Sequence, residues 1–293
     1  MPTPIEAFRN KFGLGIAEIA ASLGVSETQM RKWERRWEEM PPDMLREMAV
    51  IHGVTVSFIL GKQAPVEEWG SLPFAINERE DLYGTLRITF SDGTAGKYPI
   101  SEESRKSILR QLGRRSFVDC RSSPGEEPWL YFWTLDDRIA IARMALIAEI
   151  ALLSDDEVAA PYYAHPEIYR LLATADPYEP LTVNGQATAA AMATHFDIVG
   201  SEEAAIQQAT HALIVFTDGR ELYSSCSNPD EAVALFALDL CAGSISNSTF
   251  LQIEDPNDYD EAYFVNMDAL RFVSIPSEAY HRHTAPETGG EDT

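Results

Sequence analysis

The residues of this sequence best suited to bind a molecule of defined chemistry are concentrated at positions 26–36. Short polar residues come first and cations follow: Ser26, Glu27, Thr28 and Gln29, then Arg31, Lys32, Arg35 and Arg36. A glutamine amide can pair with adenine, a threonine can contact a thymine methyl group, and a glutamate can accept a hydrogen bond from cytosine. Arginine and lysine neutralise phosphates. These eight residues therefore form a candidate surface for double-stranded DNA.

Such residues need a rigid element to position them, and the hydrophobic spacing predicts a helix. Five short helices are expected: Pro4 to Phe12, Ile16 to Ser22, Glu27 to about Trp37, a fourth that Asp43 caps, and Ser57 to Leu60. Gly24 is expected to take a left-handed conformation before the third helix, and Ser26 to cap that helix. Met30 and Trp33 would then face the core, so that the polar residues face outward.

This segment resembles the lambda-repressor/Cro-like helix-turn-helix family, often called XRE-type, over Phe8 to Gly61. The resemblance implies a five-helix domain whose third helix enters the major groove. It also implies an ion pair between Arg9 and Glu34. The sequence departs from the family at Gly15 and Ile16, where a Thr-Gln pair is usual. It departs again at Arg36, where a glycine is usual, so a longer third helix is expected.

The net charge of −23 is unevenly distributed along the chain. Residues 1–62 contain eight Lys or Arg against eight Asp or Glu, whereas the remainder contains 15 against 38. A surface that attracts nucleic acid must therefore lie in the N-terminal segment, because the remainder would repel phosphate.

An internal repeat is predicted in the acidic remainder. The stretch "LRITFSDGTAGKYPI" from Leu86 matches "ALIVFTDGRELYSS" from Ala212, and each is typical of a hairpin with an Asp-Gly turn. A helix capped by Ser101 should follow the first hairpin, and a similar helix the second. Two more strands complete each unit. The offset between the copies is 126 residues at Asp92 and Asp218, and it is predicted to be 132 at Asp136 and Asp268.

The predicted architecture is α+β and multidomain: an N-terminal all-α five-helix domain, then two similar β-β-α-β-β units that a helical segment separates. The boundaries are 3–62 for the helix-turn-helix domain, 63–81 for a linker, 82–155 for the first unit with a following helix, 156–209 for a helical connector, 210–276 for the second unit and 277–293 for a disordered tail. The helix following the first unit is the apolar run that begins at Arg138, which we interpret as a buried helix.

No enzyme activity, cofactor or metal site is expected. The sequence lacks the motifs of phosphate-binding loops, dinucleotide folds, zinc proteases and serine hydrolases. Its three scattered cysteines predict neither a disulfide framework nor a zinc site. His281 and His283 in the tail are not expected to bind a metal. Neither a signal peptide nor a membrane span is predicted, so we expect a cytoplasmic protein.

The sequence thus favours a bacterial or phage transcription regulator that binds DNA as a homodimer. The acidic region would mediate dimerisation and contact a partner, for which RNA polymerase is a candidate. Two alternatives stay open. In one, the same helices form a protein-interaction module, such as an antitoxin or a phage inhibitor, whose basic residues are merely solvated. In the other, the C-terminal region senses a ligand.

Overall fold

The computed structural model describes helices and strands over residues 2–61, 82–113, 129–154, 160–175, 181–226, 250–254 and 262–279. These residues divide into two compact units. The helical unit contains the described residues up to 61 and those between Tyr162 and Ala205. The sheet unit contains the described residues from Leu82 to Pro161 and from Ile206 onward. At this level the architecture is α+β, as the sequence predicts.

The helical unit begins with five helices around one apolar core. They are α1 (Pro4–Phe12), α2 (Ile16–Ser22), α3 (Glu27–Arg35), α4 (Pro42–His52) and α5 (Val56–Ile59). Each helix places an apolar stripe inward and contributes a fully buried side chain: Ile5, Ile19, Met30, Met48 and Ile59, respectively.

Local signals place α3 where the sequence predicts it to begin. The Ser26 hydroxyl accepts a hydrogen bond from the backbone N–H of Gln29 at 3.2 Å, which is the predicted cap. Gly24 takes the predicted left-handed conformation, with φ of 65°. The predicted end of this helix is wrong. Arg36 leaves helical geometry at φ −132° and ψ 68°, and a 3-10 turn follows over Trp37–Glu39.

The predicted cap of α4 is also wrong. The helix begins at Pro42, directly after Pro41, and Asp43 lies inside its first turn. A proline at the first helical position has no N–H that would need a capping acceptor. The Asp43 carboxylate instead lies 3.4 Å from the guanidinium of Arg46.

Further helices follow later in the chain: α6 (Glu102–Gly113), α7 (Pro166–Leu172), α8 (Gln186–Val199) and α9 (Glu202–Thr210). Of these, α7 and α8 pack on α4 inside the helical unit. Glu47 of α4 accepts hydrogen bonds from the backbone N–H groups of Ala187 at 2.7 Å and Thr188 at 2.9 Å, at the start of α8. A later helix likewise binds an earlier one: Glu167 of α7 accepts a hydrogen bond from the N–H of Val56, at the start of α5, at 3.0 Å. The predicted connector therefore belongs partly to the N-terminal helices.

The sheet unit contains antiparallel strands. They are β1 (Leu82–Phe90), β2 (Ala95–Ser101), β3 (Trp129–Thr134), β4 (Arg138–Arg143), β5 (Ile147–Ser154), β6 (His211–Phe216), β7 (Glu221–Ser225), β8 (Phe250–Glu254), β9 (Ala262–Asn266) and β10 (Leu270–Pro276). In the described residues they form three sheets, with strand orders β2-β1-β5, β3-β4-β10-β6-β7 and β8-β9.

Helix α6 packs against β1, β2 and β3. Ser101 caps it as predicted, because its hydroxyl accepts a hydrogen bond from the N–H of Ser104 at 3.1 Å. The carboxamide of Gln111 binds β3 as a neighbouring strand would. It donates to the carbonyl of Tyr131 at 2.6 Å and accepts from the N–H of the same residue at 3.0 Å. The helix thus satisfies backbone groups at the outer edge of a sheet.

The buried helix predicted from Arg138 onward is wrong. The run instead forms β4 and β5, joined by a 3-10 turn over Met144–Leu146. A continuous apolar run fits a buried helix and a buried strand equally well, so its spacing alone does not distinguish them. Pairing decides: β4 lies between β3 and β10, and β5 lies beside β1.

The two halves of the sheet unit repeat the same strand registers. Thr85 lies opposite Pro99, and 126 residues later His211 lies opposite Ser225. Both Asp-Gly turns have the expected positive φ, 86° at Gly93 and 87° at Gly219.

The last strands of the first half correspond to the last strands of the second half, but the offset between them differs from the predicted 132 residues. The 3-10 turn over Met144–Leu146 corresponds to the turn over Met267–Ala269, 123 residues further on. Each turn accepts the same kind of hydrogen bond, from the N–H of Ser91 to Leu146 and from that of Thr217 to Ala269, both at 2.8 Å. The predicted offset of 132 residues is therefore wrong, and the two 3-10 turns lie 123 residues apart.

Several predictions fall on residues outside the described ranges: the linker, the helix after the second hairpin and most of the tail with His281 and His283. Among the described helices, none combines the length and apolarity that crossing a membrane requires.

Candidate nucleic-acid interface

Helix α3 is anchored to the core by one face. Met30 and Trp33 are buried among the residues of the other helices. Glu34 fixes the helix to α1, because its carboxylate binds the Arg9 guanidinium at 2.7 Å and its carbonyl accepts a hydrogen bond from the Thr3 hydroxyl at 2.6 Å. The Arg9–Glu34 pair implied by the family resemblance is therefore present.

The opposite face of α3 is polar and open to solvent. At 100° per residue, Thr28, Arg31, Lys32 and Arg35 share one face of the helix, opposite Met30 and Trp33. All four are exposed. The sequence predicted that these four residues and Gln29 face outward, and the helix brings the four side chains together.

The first turn of α3 presents the residues expected to contact bases. Ser26, Glu27 and Thr28 are exposed, and Gln29 is half-buried at the border between the polar face and the core face. The backbone N–H groups of this turn carry the positive end of the helix dipole, which favours a nearby phosphate. Gln29 is thus less central to the exposed face than its neighbours.

Three of the four predicted cations already have carboxylate partners. Arg31 lies 3.5 Å from Glu27, one helical turn earlier. Lys32 and Arg36 lie 2.8 Å and 2.9 Å from the same residue, Glu39. Arg35 differs, since its Nε donates to the backbone carbonyl of Arg31 at 3.1 Å and no ion pair joins it to another described residue. Arg36 stands just beyond the helix.

Glu39 is the part of this surface that sequence reasoning missed. The 3-10 turn brings its carboxylate back to α3, where hydrogen bonds from Lys32 and Arg36 lower its pKa. In sequence, the only signal is a glutamate three residues after one cation and seven after another. Seven residues match two helical turns, but here the helix ends in between, so only the turn geometry produces the contact.

The described side chains that could bind a metal ion lie apart from one another. Within the described ranges, no three His, Cys, Asp or Glu side chains cluster closely enough to hold a metal ion. Asp92 and Asp218, in the two hairpin turns, bind the N–H groups of Thr94 at 2.9 Å and Arg220 at 3.1 Å. These contacts stabilise the turns, as expected for Asp-Gly sequences.

The chain matches no known protein-family model, no curated protein and no solved structure.

Proposed function

We propose that this protein is a sequence-specific DNA-binding regulator of transcription, with α3 as the helix that enters the major groove. One observation carries the proposal: α3 exposes Thr28, Arg31, Lys32 and Arg35 on one face while Met30 and Trp33 anchor the other in the core. A helix held in this way can insert its polar face into the groove without unfolding its unit.

The roles within the interface follow from position. Residues 26–29 would lie nearest the base edges, because recognition helices contact bases mainly through their N-terminal part. Arg31, Lys32, Arg35 and Arg36 would bind phosphates and set the register of the helix on the duplex. No catalytic role, cofactor or metal belongs to this proposal.

The N-terminal helices would then be an XRE-type helix-turn-helix domain, in line with their resemblance to that family. The sheet unit would be a duplication of one β-β-α-β-β unit, supported by the repeated registers. It would mediate homodimerisation, so that two copies of α3 address two half-sites, and its acidic surface would contact a protein such as RNA polymerase. Its negative charge would also limit nonspecific attraction to DNA.

A second function has a specific observation in its favour. Glu39 neutralises Lys32 and Arg36, which leaves Arg35 as the cation of α3 without a described carboxylate partner. A surface of this kind also suits a protein-interaction module, such as an antitoxin or phage inhibitor, because alternating charges give specificity between proteins.

The two functions predict different results in a DNA-binding experiment with the full-length protein. Genome-wide immunoprecipitation with sequencing should yield discrete peaks that share a motif, and fluorescence anisotropy should show salt-dependent binding to that motif. Gln29→Ala should change the preferred sequence, whereas Arg35→Ala should weaken binding to all sequences and lower the salt slope by about one. If no peaks and no salt-dependent binding are found while a protein partner co-purifies, the interaction module is the correct function.

A further inference from the structure

The two halves of the sheet unit agree in three separate strand pairings. The register of β1 with β2 recurs in β6 with β7, as given above. The pairing of β1 with β5 recurs in β6 with β10, including a bulge at the same place. Phe90 is opposite Ile147 and Thr89 opposite Glu149, just as Phe216 is opposite Leu270 and Val215 opposite Phe272.

The third agreement joins the remaining hairpins. Trp129 at the start of β3 lies opposite Arg143 at the end of β4, and Phe250 at the start of β8 lies opposite Asn266 at the end of β9. Strand by strand, β1 to β5 therefore correspond to β6 to β10.

One pairing has no counterpart among the described strands. β10, from the second half, pairs with β4 of the first half, with Val273 opposite Ile141. The equivalent contact would join β5 with β9. In the described residues, however, β5 is the last strand of its sheet and β8-β9 is a separate two-stranded sheet. An edge strand leaves a row of backbone N–H and C=O groups without partners.

We propose that β9 pairs with the open edge of β5 within the same chain. The observed register of β4 with β10 defines the contact. In it, β4 is replaced by β9, 123 residues later, and β10 is replaced by β5, 123 residues earlier. Val273 opposite Ile141 becomes Ile150 opposite Phe264, and the neighbouring pairs become Glu149 with Val265 and Ala151 with Tyr263. The proposal concerns the sheet unit alone and does not depend on DNA binding.

The side chains of β9 fit an incomplete pairing. Phe264 is 63% exposed, the highest value among the large apolar side chains described, whereas its neighbour Val265 is 5% exposed. Ile150, its proposed partner, is half-buried. A Phe placed directly across from an Ile on the same sheet face makes a stabilising cross-strand pair.

An existing contact brings the two strands close at one end. Arg143, four residues before β5 begins, donates to the carbonyl of Asp268 at 2.6 Å, and Asp268 lies two residues after β9 ends. The short connections through both 3-10 turns keep β9 at high effective concentration beside β5. The strand of the same chain is therefore favoured over a strand of a second copy.

The pairing would give the sheet unit two equivalent sheets of five strands. One would have the order β2-β1-β5-β9-β8, and the other is the observed β7-β6-β10-β4-β3. Each would contain three strands from one half and two from the other. The chain would thus contain an intramolecular pseudo-dimer, and homodimerisation would have to use a surface other than the β5 edge.

Disulfide cross-linking of the full-length protein tests the proposed register. Directly opposed antiparallel residues lie at Cα separations that a disulfide can span. Ile150→Cys combined with Phe264→Cys should form a disulfide within one chain, detected as a monomer on a non-reducing gel and located by peptide mass spectrometry. Ile150→Cys combined with Val265→Cys is the matched control. It should not cross-link, because adjacent residues of a strand point to opposite faces.

The equivalent observed pair, Ile141→Cys with Val273→Cys, is the positive control. The proposal would be overturned if the positive-control pair cross-links and the Ile150→Cys, Phe264→Cys pair does not. A disulfide between two chains would also overturn it. Hydrogen exchange on the unaltered protein gives a second measurement. Backbone amides of residues 148–152 should be protected at every position, and fast exchange at alternate positions would show that the edge stays open.

Discussion

In the proposed complex with DNA, Glu39 would limit how strongly Lys32 and Arg36 attract phosphate. Its carboxylate holds Lys32 and Arg36 at ion-pair distance, and the hydrogen bonds that these residues donate lower its pKa. A phosphate would have to replace this carboxylate before either cation could bind the backbone of DNA. The residue therefore acts as an internal competitor for the proposed ligand.

Replacing Glu39 with glutamine should strengthen DNA binding. The substitution removes the competing charge while keeping the size of the side chain, so we expect the affinity at low salt to rise about two- to fivefold. Fluorescence anisotropy against salt concentration measures both the affinity and its slope. Glu38→Gln makes the same change in net charge at an exposed residue without an ion pair to a described residue, and it should have a smaller effect. Equal effects of the two variants would contradict a specific role for Glu39.

Two carboxylates join the first five helices of the helical unit to the later helices α7 and α8. Each carboxylate accepts hydrogen bonds at the N-terminus of a helix in the other group. Glu47 from α4 binds the start of α8, and Glu167 from α7 binds the start of α5. Both residues are almost completely buried. Arg170 lies 2.7 Å from Glu167 and compensates its charge. A buried carboxylate is tolerated here because N–H groups at helix ends lack partners within their own helix.

Removal of the Glu47 carboxylate should destabilise the helical unit. Glu47→Ala would leave the two N–H groups at the start of α8 and the hydroxyl of Thr188, which also donates to Glu47 at 2.8 Å, without their acceptor. We expect the free energy of unfolding to fall by about 2–3 kcal/mol, since hydrogen bonds to charged groups are worth about that much. Thermal and urea denaturation of the full-length protein measure the change. Glu38→Ala is the exposed control, and a loss as small as that of the control would show that α8 contributes little to the unit.

The whole molecule should lose stability in mildly acidic solution. Burial lowers the pKa of His52, His165 and His211 below the ordinary value of 6.5. The native protein therefore binds these protons less readily than the unfolded chain does. The contribution of the neutral histidines is fully present above pH 6.5 and declines as the pH falls through that value.

His165 offers a direct test of this pH dependence. Its Nδ1 accepts a hydrogen bond from the N–H of Glu167 at 3.2 Å, which protonation would abolish. His165→Asn keeps a capping acceptor but does not titrate. The melting temperature of the original protein should fall between about pH 7.5 and about pH 5.5, and the variant should show a smaller fall. Identical slopes for the two proteins would mean that His165 does not contribute.

The sequence by itself determined the features that depend on neighbouring residues. The bounds of α1 and α2, the Ser26 and Ser101 caps and the positive φ of Gly24, Gly93 and Gly219 were all predictable. These features arise from hydrogen bonds and backbone geometry within a few positions of one another. The exposed face of α3 was predictable for the same reason, because helical periodicity alone places Thr28 opposite Met30.

The tertiary structure decided what depends on distant partners. The run after Arg138 forms strands because β10, more than 130 residues later, pairs with β4. The start of α8 is satisfied by Glu47, which lies 140 residues earlier. Glu39 reaches α3 only through the 3-10 turn that ends the helix. Local spacing carries no information about contacts of this kind, since the energy of a pairing or a buried carboxylate depends on which surfaces meet when the chain folds.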